Sequence, residues 1–140
     1  MSHFISRYVT MNQILIPISP GELLDKITIL EIKSERIESA EKKANVNNEL
    51  GMLNKVWADA VTQDADIASM RAELKDINET LWDIEDDIRD EERAKRFSEK
   101  FIELARSVYV TNDLRADVKK RINLHLNSDI VEEKSYQDYS

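Results

Sequence analysis

The chain predicts an all-α protein: a helical bundle of four to five helices built around one long, heptad-patterned central helix. Three observations carry that prediction. Ile67, Met70, Leu74, Ile77, Leu81, Ile84 and Ile88 follow one another at alternating steps of three and four. Such a seam draws one apolar stripe along a helix, which must bury it against other helices. Only two Gly and two Pro occur in 140 residues, little material for the tight turns of a sandwich or an open sheet. Charged residues make up 34% of the chain and apolar ones 41%, a mix that suits helices with one solvated face.

A single domain spans residues 1–140, and each element has its own justification. Residues 1–12 show no period and read as an N-terminal extension, with Met11 an alternative start. Gln13 to Ile18 is extended by composition, a short strand or a strap over the bundle. Ser19-Pro20-Gly21-Glu22 is a helix start: Ser19 caps, Glu22 reaches back to the Ser19 amide, and Pro20 loses no needed donor at the first helical position. The first helix is expected to run to about Ala44. Leu23, Leu24, Ile27, Leu30 and Ile37 form its main face, and Ile29 and Ile32 point nearly opposite. A helix apolar on two sides is central in the bundle or buried between subunits, which makes a homodimer an expectation.

Asn45-Val46-Asn47-Asn48 reads as a turn. A second helix follows to about Val61, with Leu50, Leu53, Val56, Trp57 and Ala60 inward, and Thr62 to Asp66 is the next turn. The seam helix runs from Asp66 to about Arg96, roughly 46 Å. Glu85–Arg89, Glu91–Lys95 and Glu92–Arg96 support it at four-residue spacing. A fourth helix carries Phe97, Phe101, Leu104, Ala105 and Val108. Thr111-Asn112-Asp113 reads as a cap or kink, and Leu114, Val118, Ile122 and Leu126 mark a fifth segment ended by Asn127-Ser128-Asp129. Residues 132–140 form a polar tail, ordered only if something docks it.

The net charge of −8 disfavours general nucleic-acid binding and anionic membranes. The absence of Cys removes disulfides, thiol catalysis and thiolate metal sites. No stretch approaches the length of a membrane span, and Ile14-Leu15-Ile16-Pro17-Ile18 is too short for a signal core, so a cytoplasmic protein is expected. Phosphate-binding and dinucleotide Gly loops and a G-x-S-x-G elbow are absent. No catalytic residue, metal or cofactor is predicted.

Candidate chemistry lies on the third and fourth helices. Asp83, Asp87 and Asp90 share a face that is able to hold Mg²⁺ against Glu31, Glu35 and Glu38, as acidic pairs do in all-α nucleoside-triphosphate pyrophosphatases. Any charged helix supplies such spacing, and a solvated face is the expected role. Asn78, Trp82, Glu85 and Arg89 flank the seam. Arg106 falls between Ile102 and Tyr109, where a partly buried charge needs a partner. Glu85 or Asp113 would satisfy it, with Tyr109 nearby, forming a polar cluster that fixes helix register or recognises an anionic small molecule. Arg115, Lys119, Lys120 and Arg121 form a basic patch whose expected role is favourable interaction with a helix C-terminus. His3 and His125 lack ligand spacing, and Trp57 and Trp82 are expected in the core.

Four longer stretches are distinctive. They are Pro17 to Lys33 (PISPGELLDKITILEIK), Leu81 to Asp86 (LWDIED), Phe101 to Tyr109 (FIELARSVY) with Asn112-Asp113, and Glu132 to Tyr136 (EEKSY). Together they resemble a family of bacterial and phage-type proteins catalogued as a domain of unknown function, across about residues 13–136. Some members of that family stand beside or fused to glycosyltransferase or tetratricopeptide-repeat proteins. The resemblance implies no catalytic residues. It directs attention to polar positions inside the motifs, Glu31, Glu85, Arg106 and Asn112.

The candidate binding residues are therefore Glu31, Asn78, Trp82, Glu85, Arg89, Arg106, Tyr109, Asn112 and Asp113. Two functions fit. One is a non-catalytic accessory or interaction protein with a protein partner, linked to surface-polysaccharide synthesis. The other is a small enzyme or sensor acting on a nucleotide or other phosphorylated metabolite with Mg²⁺. The first requires an apolar interface; the second requires a pocket where Glu31, Glu85, Arg89 and Arg106 converge.

Overall fold

The computed structural model describes residues 12–139. Residues 1–11, including Met11 as a start and His3, lie outside the described residues. Among the described residues four helices follow one another: α1 (Pro20–Arg36), α2 (Ala40–Ala60), α3 (Ala65–Arg93) and α4 (Glu99–His125). The chain is an all-α bundle. No helix among the described residues is long and apolar enough to cross a membrane.

The start of α1 follows from its sequence. Ser19 is extended, its Oγ accepts from the Glu22 amide at 3.2 Å, and Pro20 occupies the first turn. The Glu22 carboxylate does not close a capping box. It turns instead to Lys119 on α4, at 2.6 Å. The helix stops at Arg36, short of Ala44, because Ser39 caps a new helix through the Lys42 amide. Asn47 and Asn48, expected in a turn, lie inside α2, where Asn47 Oδ1 accepts from Ser34 of α1 at 2.7 Å. On α2 Trp57 is buried and Leu50 and Leu53 pack partly against the core, whereas Val56 and Ala60 face solvent.

Two ends share a backbone device. Beyond α3, Lys95 takes a positive φ of 56°, and the Arg96 amide bonds back to Glu91 O at 2.9 Å. Beyond α4, Asn127 takes φ 54° and the Ser128 amide reaches Asn123 O at 2.9 Å. Both are left-handed caps that satisfy carbonyls a helix end leaves open. Thr111-Asn112-Asp113 neither caps nor kinks: the fourth and fifth segments are one helix. Tertiary partners override the local turn preference there. Thr111 is buried, Asn112 accepts from Arg115, and Asp113 holds Lys134.

α1 is the centre of the bundle. It packs against α2, α3 and α4, while α3 and α4 run along each other, and α2 lies along α1 and sends Trp57 into the shared core. The two-sided apolar pattern of α1 is thus met inside one chain, with Ile32 buried and Ile29 half-buried. The core gathers Leu23, Leu24, Ile27, Trp57, Ile67, Met70, Leu74, Val118 and Ile122. Each such Leu or Ile contributes about 1.5–3 kcal/mol when fully buried. The seam of α3 enters this core only through Ile67, Met70 and Leu74; Ile77, Leu81, Ile84 and Ile88 are half-covered.

Candidate functional site

The most buried charge in the described structure is one that sequence reasoning passed over. Asp25, 1% exposed, sits on the side of α1 that faces α4. Its Oδ1 accepts from Arg115 Nε at 2.9 Å and from Asn78 Nδ2 at 3.0 Å, and its Oδ2 pairs with Arg115 Nη2. Asn78 also donates to Thr28 Oγ1 at 3.0 Å, and that hydroxyl donates to the Asp25 carbonyl at 2.9 Å. Among the described residues no buried side-chain polar atom lacks a partner. A buried carboxylate is tolerable only with such pairing. The network ties α1, α3 and α4 at one level.

A second layer lies one turn away. Gly21 donates its amide to Asn123 Oδ1 at 2.7 Å. A Cβ at Gly21 would stand 2.9 Å from that oxygen and closer still to the Lys119 carbonyl, so only glycine permits this approach of α1 to α4. Ser19 Oγ donates to Glu132 Oε1 at 2.8 Å, which brings in the C-terminal segment. That segment returns along α4: Glu133 binds Lys120, Lys134 pairs with Asp113, and Tyr139 meets the Tyr109 ring edge-on at 5.1 Å. The bond from Lys134, then that from Tyr139, holds the Asp113 carboxyl below its usual range. The polar tail is therefore docked, and on its own chain.

Two open clefts adjoin these layers. One, of about 480 Å³, lies between α4 and the tail and is lined by Asn112, Arg115, Lys119, Lys120, Asn123 and the 132–136 segment. The other, of about 440 Å³, lies between α3 and α4 and carries Ile29, Asn78, Trp82, Glu85, Arg89, Asn112 and Arg115. Arg115 and Asn112 form part of both.

The structure thus brings five sequence candidates, Asn78, Trp82, Glu85, Arg89 and Asn112, to one cleft. It separates the others. Glu31 pairs with Arg71 at 3.3 Å, and Tyr109 and Asp113 belong to the tail contact. Arg106 is exposed and has no partner among the described residues, so the expected cluster around it does not form. Glu85 instead pairs with Arg89 on its own helix, and Asp113 with Lys134. The helical turn explains this: Leu104, Ala105 and Val108 are the half-buried side of α4 at this level, and Arg106 falls on its exposed side. Trp82 is half-exposed, with the Arg36 guanidinium 5.8 Å over its ring.

Four of the six carboxylates proposed for Mg²⁺ are drawn into separate ion pairs: Asp83 with Arg36 at 2.6 Å, Glu35 with Lys75 at 2.6 Å, Asp90 with Arg93 and Glu31 with Arg71, each at 3.3 Å. Asp64, Asp66 and His125 are the one group among the described residues whose ligand atoms approach within 4.8 Å, and all three are exposed. Asp64 caps α3 through the Ile67 amide, and its other oxygen bonds His125 Nε2 at 2.8 Å. That bond raises the His125 pKa and lowers that of Asp64.

Asp25, Lys119 and Asn123 were missed as site residues, yet a signal existed. Gly21, Asp25 and Thr28 recur at helical spacing beside the apolar face of α1, a buried stripe of small and polar groups that Ile32 continues. A scan for charges alone does not separate Asp25 from the solvated acids around it.

Comparison with known proteins adds one match: the model of a family of unknown function (DUF6165) covers residues 14–139. No curated protein and no solved structure matches the chain.

Proposed function

The chain belongs to that family of unknown function, and we propose that it is a non-catalytic interaction protein that pairs with a second copy of itself through the outer face of α4. One observation carries the reading. Ile102, Val110 and Leu114 are 55%, 42% and 55% exposed and lie on one side of the helix, around Arg106, which has no partner among the described residues. Inside the bundle, by contrast, the buried charges are matched by internal partners. A stripe of this kind is self-complementary. Ile102 and Leu114 both stand six residues from Val108, so a two-fold antiparallel pairing of α4 helices sets one against the other. The tail docks on α4 at Asp113 and Lys120, next to the stripe, and the three apolar residues stay exposed beside it. The setting suggested by the resemblance to proteins beside glycosyltransferases is surface-polysaccharide synthesis.

Sedimentation equilibrium over a broad concentration range tests the pairing. The expected result is a dimer that Val110→Glu with Leu114→Glu converts to a monomer of unchanged helicity and melting. A parent chain that stays monomeric at the highest concentration sinks the reading.

A further inference from the structure

The cleft between α4 and the tail has a composition the interaction reading does not use. Arg115, Lys119, Lys120 and Lys134 converge on it in a chain of net charge −8. Arg115 is committed to Asp25, and Lys119 bonds Glu22 at 2.6 Å. The remaining contacts come from the tail, and they are unlike the buried network. Glu132 receives the Ser19 hydroxyl at 2.8 Å and stands 4.0 Å from Lys119. Glu133 turns both oxygens to Lys120, at 3.1 and 3.0 Å. These two carboxylates are 49% and 70% exposed, so water already competes for them. Asn123, 1% exposed and lining the cleft, accepts the Gly21 amide with its side-chain carbonyl at 2.7 Å.

We propose that this cleft binds a small phosphorylated molecule, whose phosphate displaces the Glu132 and Glu133 carboxylates from Ser19, Lys119 and Lys120. The exchange conserves charge, because a phosphomonoester carries about −1.5 to −2 at neutral pH and two glutamates carry two negative charges. A phosphate offers three acceptor oxygens in a tetrahedral array, enough for the Ser19 hydroxyl and the Lys119 and Lys120 ammonium groups together. The start of α1, a 17-residue helix, adds the positive end of its dipole beside Ser19. The tail thus acts as a tethered competitor, present at an effective concentration of order millimolar, and it sets the threshold for binding. Tyr136, 86% exposed beside the same cleft, offers a ring face to whatever the phosphate carries.

Isothermal titration of the full chain with inorganic phosphate, uridine monophosphate and glucose 1-phosphate tests this. The parent chain is expected to bind all three weakly. Glu132→Gln with Glu133→Gln is expected to tighten each by about tenfold, since the competitor is removed. Lys120→Gln, at a half-exposed position that does not threaten folding, is expected to weaken each. A uridine preference that Tyr136→Ala abolishes identifies a nucleotide; equal affinities identify the phosphate alone. Absence of phosphate binding in the double glutamine variant overturns the proposal, as does an affinity that neither the glutamine nor the Lys120 change moves.

Discussion

The two ends of the α3–α4 pair are built from the same kind of residue at the same spacing, and they are packed differently. At the base, where α1 and Trp57 of α2 join them, Ile67, Leu74, Val118 and Ile122 are sealed. Toward the 94–98 turn, Ile84, Ile88 and Leu104 are only half-covered. A heptad seam fixes which side of a helix turns inward. The number of neighbouring helices fixes how much of that side leaves water. Two helices alone form a ribbon, and a ribbon covers one flank of each seam residue. The polar groups differ in the same sense. The base holds Asp25 in a closed network of four side chains. The ribbon has one buried acid, Glu91, held by Arg96 and Lys100, whose own side chains are exposed, and its other pairs, such as Arg93–Asp90 and Lys95–Glu92, are open to solvent.

Substitutions sharpen this contrast. The largest effect is expected from Asp25→Ala, which strands Arg115 and Asn78 in the base. Removing one partner of a buried pair costs about 3–5 kcal/mol, whereas Asp90→Ala on the ribbon is expected to cost under about 1 kcal/mol. Urea denaturation measures both, and equal losses would erase the distinction. Next come apolar truncations: Leu74→Ala is expected to cost about 2–5 kcal/mol and Ile88→Ala clearly less, because water already reaches Ile88. Gly21→Ala is expected to lose about 1–3 kcal/mol by overpacking the α1–α4 approach. If that variant is as stable as the parent, the close approach is not a constraint.

Lys95→Gly works in the opposite direction. A non-glycine residue at positive φ costs about 1–2 kcal/mol, part of which glycine returns as unfolded-chain entropy, so a gain of up to about 1 kcal/mol is expected. The smallest effect belongs to the exposed His125–Asp64 bond. Its histidine pKa is raised in the folded state, so its contribution is complete below the unfolded value of roughly 6.5 and fades as pH climbs through the higher folded value. Asp64, lowered, adds stability above its ordinary range and loses it as acid protonates the folded carboxylate. His125→Gln is therefore expected to flatten the melting-temperature profile on the alkaline side of the histidine range, with little change elsewhere.

Much of this arrangement was legible beforehand. The seam located α3, Ser19-Pro20 located the start of α1, and the two apolar sides of α1 called for either a central place or a subunit interface, of which the fold shows the first. The break at Ile37-Glu38 was not legible, because neither residue is a breaker and Ser39 caps only once the chain has turned. The long α4 was hidden by Thr111-Asn112-Asp113, whose turn preference yields to Arg115 and Lys134. The site followed the same rule. Asn78, Trp82, Glu85 and Arg89 share a helix, so spacing alone grouped them correctly. Asp25 and Arg115 stand 90 positions apart. Their meeting depends on how helices pack, which periodicity does not encode.

The chain has two tryptophans, and the fold places one in each environment. Trp57 is enclosed by the core, while Trp82 stands where α1 ends, half-exposed beneath Arg36. Their emission therefore differs in colour without any label, Trp57 to the blue and Trp82 to the red. Replacing either with phenylalanine leaves a chain whose remaining indole reports on one region. Loosening of the ribbon ahead of the base would appear in the red component first, as light.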